Sequence, residues 1–469
     1  MSPELLIGLV IALLVILIAA EVPVAFALLT SGAIGLVLLK SAGYATNTLA
    51  NQPFSDTAAF SLVLIPMFVI MGMFVVAAGI AQDVYGAAAR VFRRLPGGLG
   101  IATVAACAGF AAVTGSSAAT VATIGRISIN EMRQHGYRSS FAAGIVAASG
   151  TLGILIPPSL VLVIYGTLTG ESIEKLLLAG IIPGILTAIM YAVVVFVRAR
   201  TQISAEFAVS APVRAAVGGG GAGTGGGAVA TGSDDAPMTS ADVSGRSAAS
   251  AFAKVTLLFL IVVVGIYTGL FTATESGAVA AFAALLMLIW TAVRRRGMRL
   301  WPLLRQAFEE TTEVSTMIFL LLIGGGVFSF FIVSGGYARD FAAWITELPV
   351  SPHVVVAALL LALIPLGMIL DGMSILLITV PLTYPVITEL GFDGIWYGIL
   401  VVKLIEIGLV TPPVGINCYV VAGAAPGLRA EDAFRGVTPF IAIDMVTTAI
   451  LFAVPAITLW LPSIASTTG

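Results

Sequence analysis

Two pairs of adjacent prolines, each inside an apolar stretch, are the residues best suited to create a binding site. One pair is Pro157-Pro158 and the other is Pro412-Pro413. Proline lacks an amide proton and clashes with the preceding helical turn, so each helix is expected to unwind there and to free carbonyl oxygens for a cation such as Na⁺. The N–H groups that open the next half-helix suit a carboxylate. A kinked helix whose prolines only assist packing is the alternative.

Small or polar clusters interrupt two further apolar stretches. They are Thr114-Gly115-Ser116-Ser117 and Asp371-Gly372-Met373-Ser374. Each divided stretch is expected to form a re-entrant helical hairpin, because backbone can turn at membrane depth only where protein or a cavity surrounds it. Two ordinary helices with a weak kink are the alternative. The predicted hairpins cover residues 98–127 and 353–385.

Ionisable residues inside apolar membrane segments are rare, and each is therefore a candidate functional residue. Asp371 lies at the tip of the second hairpin, where it could bind a substrate hydroxyl or amine, complete an ion site, or cap the returning helix. Lys403 and Glu406 are three positions apart and are expected to pair on one helix face, although Glu406 adjoins the second break and could orient the second hairpin. Glu275 begins a helix and is expected to cap it.

The overall composition requires a membrane. Of the 469 residues, 59% are hydrophobic, 10% are charged and 51 are glycine, whereas a soluble domain has about 25% charged residues. The net charge of −2 provides no basic surface for nucleic acid. Two cysteines, Cys107 and Cys418, and two histidines, His135 and His353, provide neither a disulfide framework nor a metal-ligand pattern. Both cysteines are therefore expected to be small buried hydrophobic residues.

Ten stretches are expected to cross the bilayer, which requires about 20 apolar residues. No Lys or Arg precedes Lys40, so the positive region of a signal peptide is missing and the first helix is expected to remain in the mature protein. If the first hairpin opens inward and the second outward, all but four Lys and Arg residues fall in cytoplasmic segments, the exceptions being Lys40, Lys175, Arg339 and Lys403. Both termini are therefore predicted to be periplasmic. The predicted spans are 4–20, 23–40, 60–80, 139–168, 173–197, 254–271, 275–293, 314–334, 393–424 and 437–461.

Residues 201–253 form a predicted flexible cytoplasmic linker, since they include the Gly-rich run 218–227. Gly221, Gly223 and Gly226 match GxGxxG, but no strand precedes them and no Lys-Ser/Thr completes a phosphate loop. No ATP site is therefore predicted, and transport must draw on a gradient or a partner.

The linker separates two halves, 1–200 and 254–469, whose features recur at an offset of about 256 positions. Each half has five crossings, one of them a broken helix (139–168 and 393–424), plus one hairpin. An odd number of crossings makes the second half enter from the opposite face. The predicted fold is thus an all-α polytopic membrane protein of two inverted repeats, an architecture typical of secondary transporters.

Five segments together resemble the DctM-type large membrane subunit of the tripartite ATP-independent periplasmic (TRAP) transporters. The resemblance implies an elevator-type mechanism and Na⁺-driven uptake of an organic acid across the bacterial inner membrane. It also implies two partners, a periplasmic substrate-binding protein and a small four-helix membrane subunit, expected as a separate chain. The segments are TGSSAATVATIG (114–125), GTLGILIPPS (150–159), TATESGAVAAF (272–282), LGMILDGMSILLITVPL (366–382) and EIGLVTPPVGIN (406–417).

The resemblance also implies site residues by position. The implied first Na⁺ site is Gly115, Ser116, Ser117, Gly153 and Pro157, the second is Gly372, Ser374, Gly408, Thr411 and Pro412, and the residues facing substrate are Ser116, Ser159 and Asp371.

The long Gly-rich linker departs from the family pattern. It is expected to be an added segment on the cytoplasmic face that does not change the coupling between the repeats. A stand-alone carrier that needs no binding protein is the remaining alternative. An enzyme is not expected, because neither histidine has a nucleophile or a metal-ligand partner nearby in the sequence.

Overall fold

The computed structural model describes residues 3–202, 245–294, 298–347 and 349–465. Within these ranges the chain is helical and contains no β-strand. The central part of the predicted linker lies outside the described residues. Its ends differ from the prediction, because one helix continues to Gln202 and the next begins at Gly245.

The helices before the linker begin with two apolar helices and a more polar third one. A short 3-10 helix, Phe60–Val63, leads into the fourth. The ten helices are α1 (Pro3–Ala19), α2 (Val24–Leu39), α3 (Ala42–Thr57), α4 (Leu64–Ala77), α5 (Ile80–Phe92), α6 (Gly98–Thr114), α7 (Ser117–Gln134), α8 (Ser139–Leu155), α9 (Leu160–Thr169) and α10 (Ile173–Gln202).

The helices after the linker follow a similar order, with one long helix in place of α3 and α4. They are α11 (Gly245–Tyr267), α12 (Ala273–Arg294), α13 (Leu300–Ser334), α14 (Tyr337–Thr346), α15 (Pro352–Leu361), α16 (Leu363–Gly367), α17 (Gly372–Glu389), α18 (Gly394–Val410), α19 (Ile416–Ala424), α20 (Ala430–Ala453) and α21 (Ala456–Ala465). Glu275 opens α12 as predicted, since its carboxylate accepts a hydrogen bond from the Thr272 backbone N–H at 2.9 Å.

Six of the described helices are long and apolar enough to cross a membrane, or seven if α8 and α9, which meet at 41°, form one span. This is fewer than the ten predicted spans. The helices α1 and α2 and the apolar stretch Phe252–Tyr267 of α11 are each shorter than 18 residues among those described. In contrast, α17 passes the criterion for a span, although it was predicted as one arm of a hairpin.

The site-forming helices of the two halves correspond closely in position. Gly372, Gly394 and Ile416 begin α17, α18 and α19 at 255 or 256 positions after the residues that begin α7, α8 and α9. The two halves also exchange contacts. The second half-helix α9 packs against α17, while α19 packs against α7, and α2 packs against α13, while α12 packs against α4. Each half therefore completes the packing of the other.

Close helix crossings in the core depend on glycine. At the crossing of α8 and α20, a β-carbon on Gly436 would overlap the carbonyl oxygen of Ser140. Van der Waals packing between small residues is a principal source of helix association in lipid. Cys107 and Cys418 are buried and free, as predicted.

A buried polar cluster connects α18 to both α10 and α20. The Lys403 ammonium donates to Glu406 Oε2 at 2.7 Å, to Asp444 Oδ1 at 2.5 Å and to Thr187 Oγ1 at 3.2 Å. All four residues have at most 1% of their surface exposed. The predicted Lys403–Glu406 pair is confirmed, and the structure adds Asp444 and Thr187 from other helices.

Candidate functional site

The first hairpin turns sharply between α6 and α7. Gly115 adopts the left-handed region at φ 60°, and a β-carbon there would overlap the carbonyl oxygen of Pro158, so only glycine fits this turn. The next residue, Ser116, caps α7, and its hydroxyl accepts from the Ala119 backbone N–H at 3.4 Å. The hairpin tip therefore rests directly on the first double-proline break.

The first break separates α8 from α9 at the predicted prolines, and α8 also packs on the hairpin tip. A β-carbon on Gly153 would lie 2.8 Å from the carbonyl oxygen of Ser116, so the two backbones are in contact. The structure thus brings Gly115, Ser116 and Gly153 together, while Ser117 begins α7 and Pro157 lies in the break. These are the five residues of the first predicted Na⁺ site, whose role as ligands remains a prediction.

Ser159, which the resemblance places toward substrate, has a different set of contacts. Its hydroxyl donates to the Ile154 carbonyl oxygen and accepts from the Leu162 backbone N–H at 3.3 Å. The residue is fully buried and caps α9. Its polar atoms hold the break together, and the structure does not place it on the cavity wall.

The second hairpin tip is organised by Asp371. Its carboxylate accepts from the backbone N–H groups of Met373 at 3.0 Å and Ser374 at 3.3 Å, and it also accepts from the Ser374 hydroxyl. Asp371 therefore caps α17, which is one of the three roles that its position allowed. An N-terminal carboxylate also complements the helix dipole. The other two roles stay open because Asp371 also lines a cavity.

The second break covers residues 411–415, between α18 and α19. The Thr411 hydroxyl donates to the Ile407 carbonyl oxygen at 2.5 Å, and a β-carbon on Gly408 would overlap the backbone of Gly367 in the first arm of the hairpin. Of the other predicted second-site residues, Gly372 contacts Ile405, Ser374 is held by Asp371, and Pro412 lies in the break. This set is spread over the start of α17, the end of α18 and the break.

A cavity of about 380 Å³ lies between the two hairpin tips. Ser116 and Ser117 line it from the first hairpin, and Asp371 and Gly372 line it from the second. Among the described residues that line it, Asp371 is the only one that is ionisable. The remaining wall is mostly apolar and comes from α4, α9, α13 and the ends of α18 and α19.

Asn417 is a cavity residue for which the sequence predicted no role. It is the second residue of α19, it lines the cavity, and only 1% of its surface is exposed. Within the described part of the chain, its amide nitrogen has no hydrogen-bond partner. Its place just after a predicted helix break, inside an apolar segment, was a signal that could have identified it.

Comparisons with known proteins agree with this architecture. The family model for the tripartite ATP-independent periplasmic transporter, DctM component, matches residues 11–457. The chain is 33% identical over 92% of its length to the C4-dicarboxylate TRAP transporter large permease protein DctM of Pseudomonas aeruginosa, covering 93% of that protein. It is 28% identical to the sialic acid TRAP transporter large permease protein SiaM of Vibrio cholerae, with 96% of each chain covered.

A solved structure supports the fold. The crystal structure of the Alcanivorax borkumensis YdaH transporter matches with a TM-score of 0.59 at 13% identity, over 92% of this chain and 96% of that one. At that identity the likeness concerns the fold alone. The match of the DctM model over nearly the whole chain shows that this protein belongs to the DctM component family of TRAP transporters, whose members are membrane permease subunits and not enzymes.

Proposed function

We propose that this chain takes up an organic carboxylate across a bacterial inner membrane by coupling its movement to Na⁺. The observation that carries this proposal is the cavity lined by both hairpin tips and by α9 and α19, the half-helices that follow the two breaks. Sites where broken helices from two halves converge are typical of secondary transporters. The site thus combines half-helix N-termini for an anion with interrupted backbone for a cation.

Two Na⁺ sites are proposed, one at each break. The contacts among Gly115, Ser116 and Gly153 support the first, because the backbone carbonyls and hydroxyls there are concentrated at one point. Thr411 and Ser374 supply hydroxyls to the second. Because the second set is more dispersed, we propose that Na⁺ draws the second tip and break together when it binds.

We propose an elevator-type movement of two inverted repeats, which the exchange of contacts between the halves supports. The reciprocal packing of α9 on α17 and of α19 on α7 joins the hairpins and broken helices into one unit that could move as a body. The helices α2, α4, α12 and α13, which also exchange partners, are proposed to form the stationary part. We also propose that both termini lie on the periplasmic side, as the distribution of Lys and Arg predicts.

Two partners are proposed for this permease. A periplasmic substrate-binding protein would deliver the acid, and a small membrane subunit would complete the transporter. The membership of a tripartite family and the designation of its relatives as large permease proteins support this arrangement. The relatives are named for C4-dicarboxylates and for sialic acid, so succinate and sialic acid are the first substrates to test.

Uptake into proteoliposomes tests the proposal. Vesicles holding this chain and its small subunit are supplied with radiolabelled succinate, malate, lactate or sialic acid, with and without an inward Na⁺ gradient and the binding protein. We expect uptake of at least one acid that requires both. Uptake without the binding protein would indicate a stand-alone carrier instead, and uptake of none of the acids would contradict the proposal.

The Na⁺ sites are tested by Ser116→Ala and Thr411→Ala. Both variants should raise the Na⁺ concentration that gives half-maximal uptake, since each removes a hydroxyl beside a break. Thr388→Ala is a matched control, because Thr388 is an exposed residue whose hydroxyl also donates within its own helix. An unchanged Na⁺ dependence in both site variants would refute the site assignment and leave the family membership intact.

A further inference from the structure

We infer that Asn417 and the N-terminus of α19 form the subsite that holds the substrate carboxylate. The inference rests on the proposed uptake of an organic acid and says where the acid group binds. It begins with the charge of the cavity. No Lys, Arg or His lines it among the described residues, and the one ionisable wall residue is the acidic Asp371. An anion in this cavity cannot form a salt bridge to a wall residue and needs neutral N–H or O–H donors.

Most polar side chains on the wall are already engaged. The Thr114 hydroxyl lies 3.2 Å from that of Thr120, and the Asp371 carboxylate accepts three hydrogen bonds at the start of α17. Asn417 differs from these two residues, because only 1% of its surface is exposed and its amide nitrogen carries two N–H donors that have no partner in the described part of the chain. A buried donor without a partner is destabilising unless a ligand satisfies it.

The backbone around Asn417 adds further donors. Helix α19 runs for nine residues from Ile416, and Gly415, which precedes it at φ 47°, provides no side-chain cap. The first N–H groups of a helix lack intrahelical acceptors, and their partial positive charge attracts anions. Ile416 and Asn417 both line the cavity. An amide side chain and an uncapped helix start thus meet at one point of the wall.

The charge of Asp371 indicates how the substrate is oriented in the cavity. A negative charge on the same wall disfavours a second anion nearby, so the acid group should bind at α19. The part of the substrate that reaches Asp371 should be neutral and able to donate a hydrogen bond, which for a dicarboxylate such as succinate means that the second acid group is protonated. The ligand class is therefore a carboxylate that enters with one acid group toward Asn417.

The test uses Asn417→Asp and Asn417→Ala in the complete transporter. For whichever probe is taken up best, succinate or sialic acid, half-saturating concentrations are measured for the acid, and inhibition is measured for its neutral amide. Asn417→Asp replaces two donors with a negative charge at almost constant shape. We expect the half-saturating concentration of the acid to rise about tenfold or more, while inhibition by the amide changes much less.

Asn130→Asp is the matched control, since Asn130 is exposed on α7, and it should leave both values unchanged. The ratio of the half-saturating concentration of the acid to the inhibitory concentration of the amide distinguishes a direct contact from a general loss of structure. A general loss of structure would weaken the binding of both ligands equally and leave the ratio unchanged. If Asn417→Asp is not recovered as a folded protein, Asn417→Ala is used in the same test. We expect that variant to lose the preference for the acid over the amide as well. A folded variant with an unchanged ratio overturns the subsite alone, whereas absence of uptake by the wild type overturns the proposed function.

Discussion

Replacement of Lys403 by methionine should destabilise the folded protein strongly. The lysine ammonium has three N–H donors, and the structure gives each an acceptor, on Glu406, Asp444 and Thr187. These acceptors come from α18, α20 and α10, so the side chain connects three helices. Methionine has a similar length and is apolar, and thus the substitution removes the charge while it fills most of the space.

The magnitude follows from the charges left behind. Without the ammonium, the Glu406 and Asp444 carboxylates stay buried with no cation beside them in the described structure, and breaking a buried ion pair in this way costs about 3–5 kcal/mol. The triple variant Lys403→Met, Glu406→Gln, Asp444→Asn removes the charges together. It should recover most of the loss, since uncharged groups of similar volume often replace a buried ion cluster without penalty.

The assay is unfolding of the purified protein by SDS titration from mild detergent, followed by tryptophan fluorescence. Arg305→Met serves as the control, because Arg305 pairs with Glu309 at 2.7 Å with both side chains largely exposed, and exposed pairs contribute little. Its unfolding curve should match that of the wild type. A Lys403→Met variant as stable as the wild type, or a triple variant no more stable than the single one, would refute the reasoning.

Further substitutions test the close contacts of the site and of the core. Gly153→Ala should abolish uptake because its β-carbon would press on the tip of the first hairpin, whereas Gly423→Ala, with open space around it, should transport normally. Gly436→Ala should lower the free energy of unfolding by about 1–3 kcal/mol, because its β-carbon meets a carbonyl group of α8; a change within error in SDS titration would contradict this. Tyr384→Phe removes a 2.6 Å hydrogen bond to the Glu171 carboxylate and should lower the free energy of unfolding by about 1.5–3 kcal/mol in the same titration, and an unchanged unfolding midpoint would contradict this.

Local chemistry made the positions of the helix breaks predictable. The paired prolines end α8 and precede α9 in one half and separate α18 from α19 in the other, as the loss of an amide donor requires. The glycine and the polar clusters at the hairpin tips were equally visible, since they interrupt apolar runs. The number of spans was less predictable. Hydropathy does not distinguish a short apolar helix from a full crossing, and six or seven described helices satisfy the length criterion where ten were expected.

Long-range contacts explain what the sequence analysis missed. Asp444 lies 41 positions from Lys403, so spacing along one helix revealed only the Glu406 partner. The family resemblance placed Ser159 toward the substrate, but its hydroxyl bonds to the backbone around the break. Which of several suitable hydroxyls faces a cavity depends on the rotation of each half-helix.

Composition and local sequence patterns were enough to predict a helical membrane protein with two related halves, each interrupted at a hairpin tip and at a double proline. These properties are local. The apolar composition places the helices in lipid, and each proline or glycine acts on its own turn of the backbone. The packing of distant helices, in contrast, makes the two tips enclose one cavity and leaves the Asn417 amide nitrogen on its wall with no hydrogen-bond partner among the described residues. The cavity is formed between elements more than 250 positions apart, and its shape is set by how α4, α7, α17 and α19 pack, which no single segment specifies.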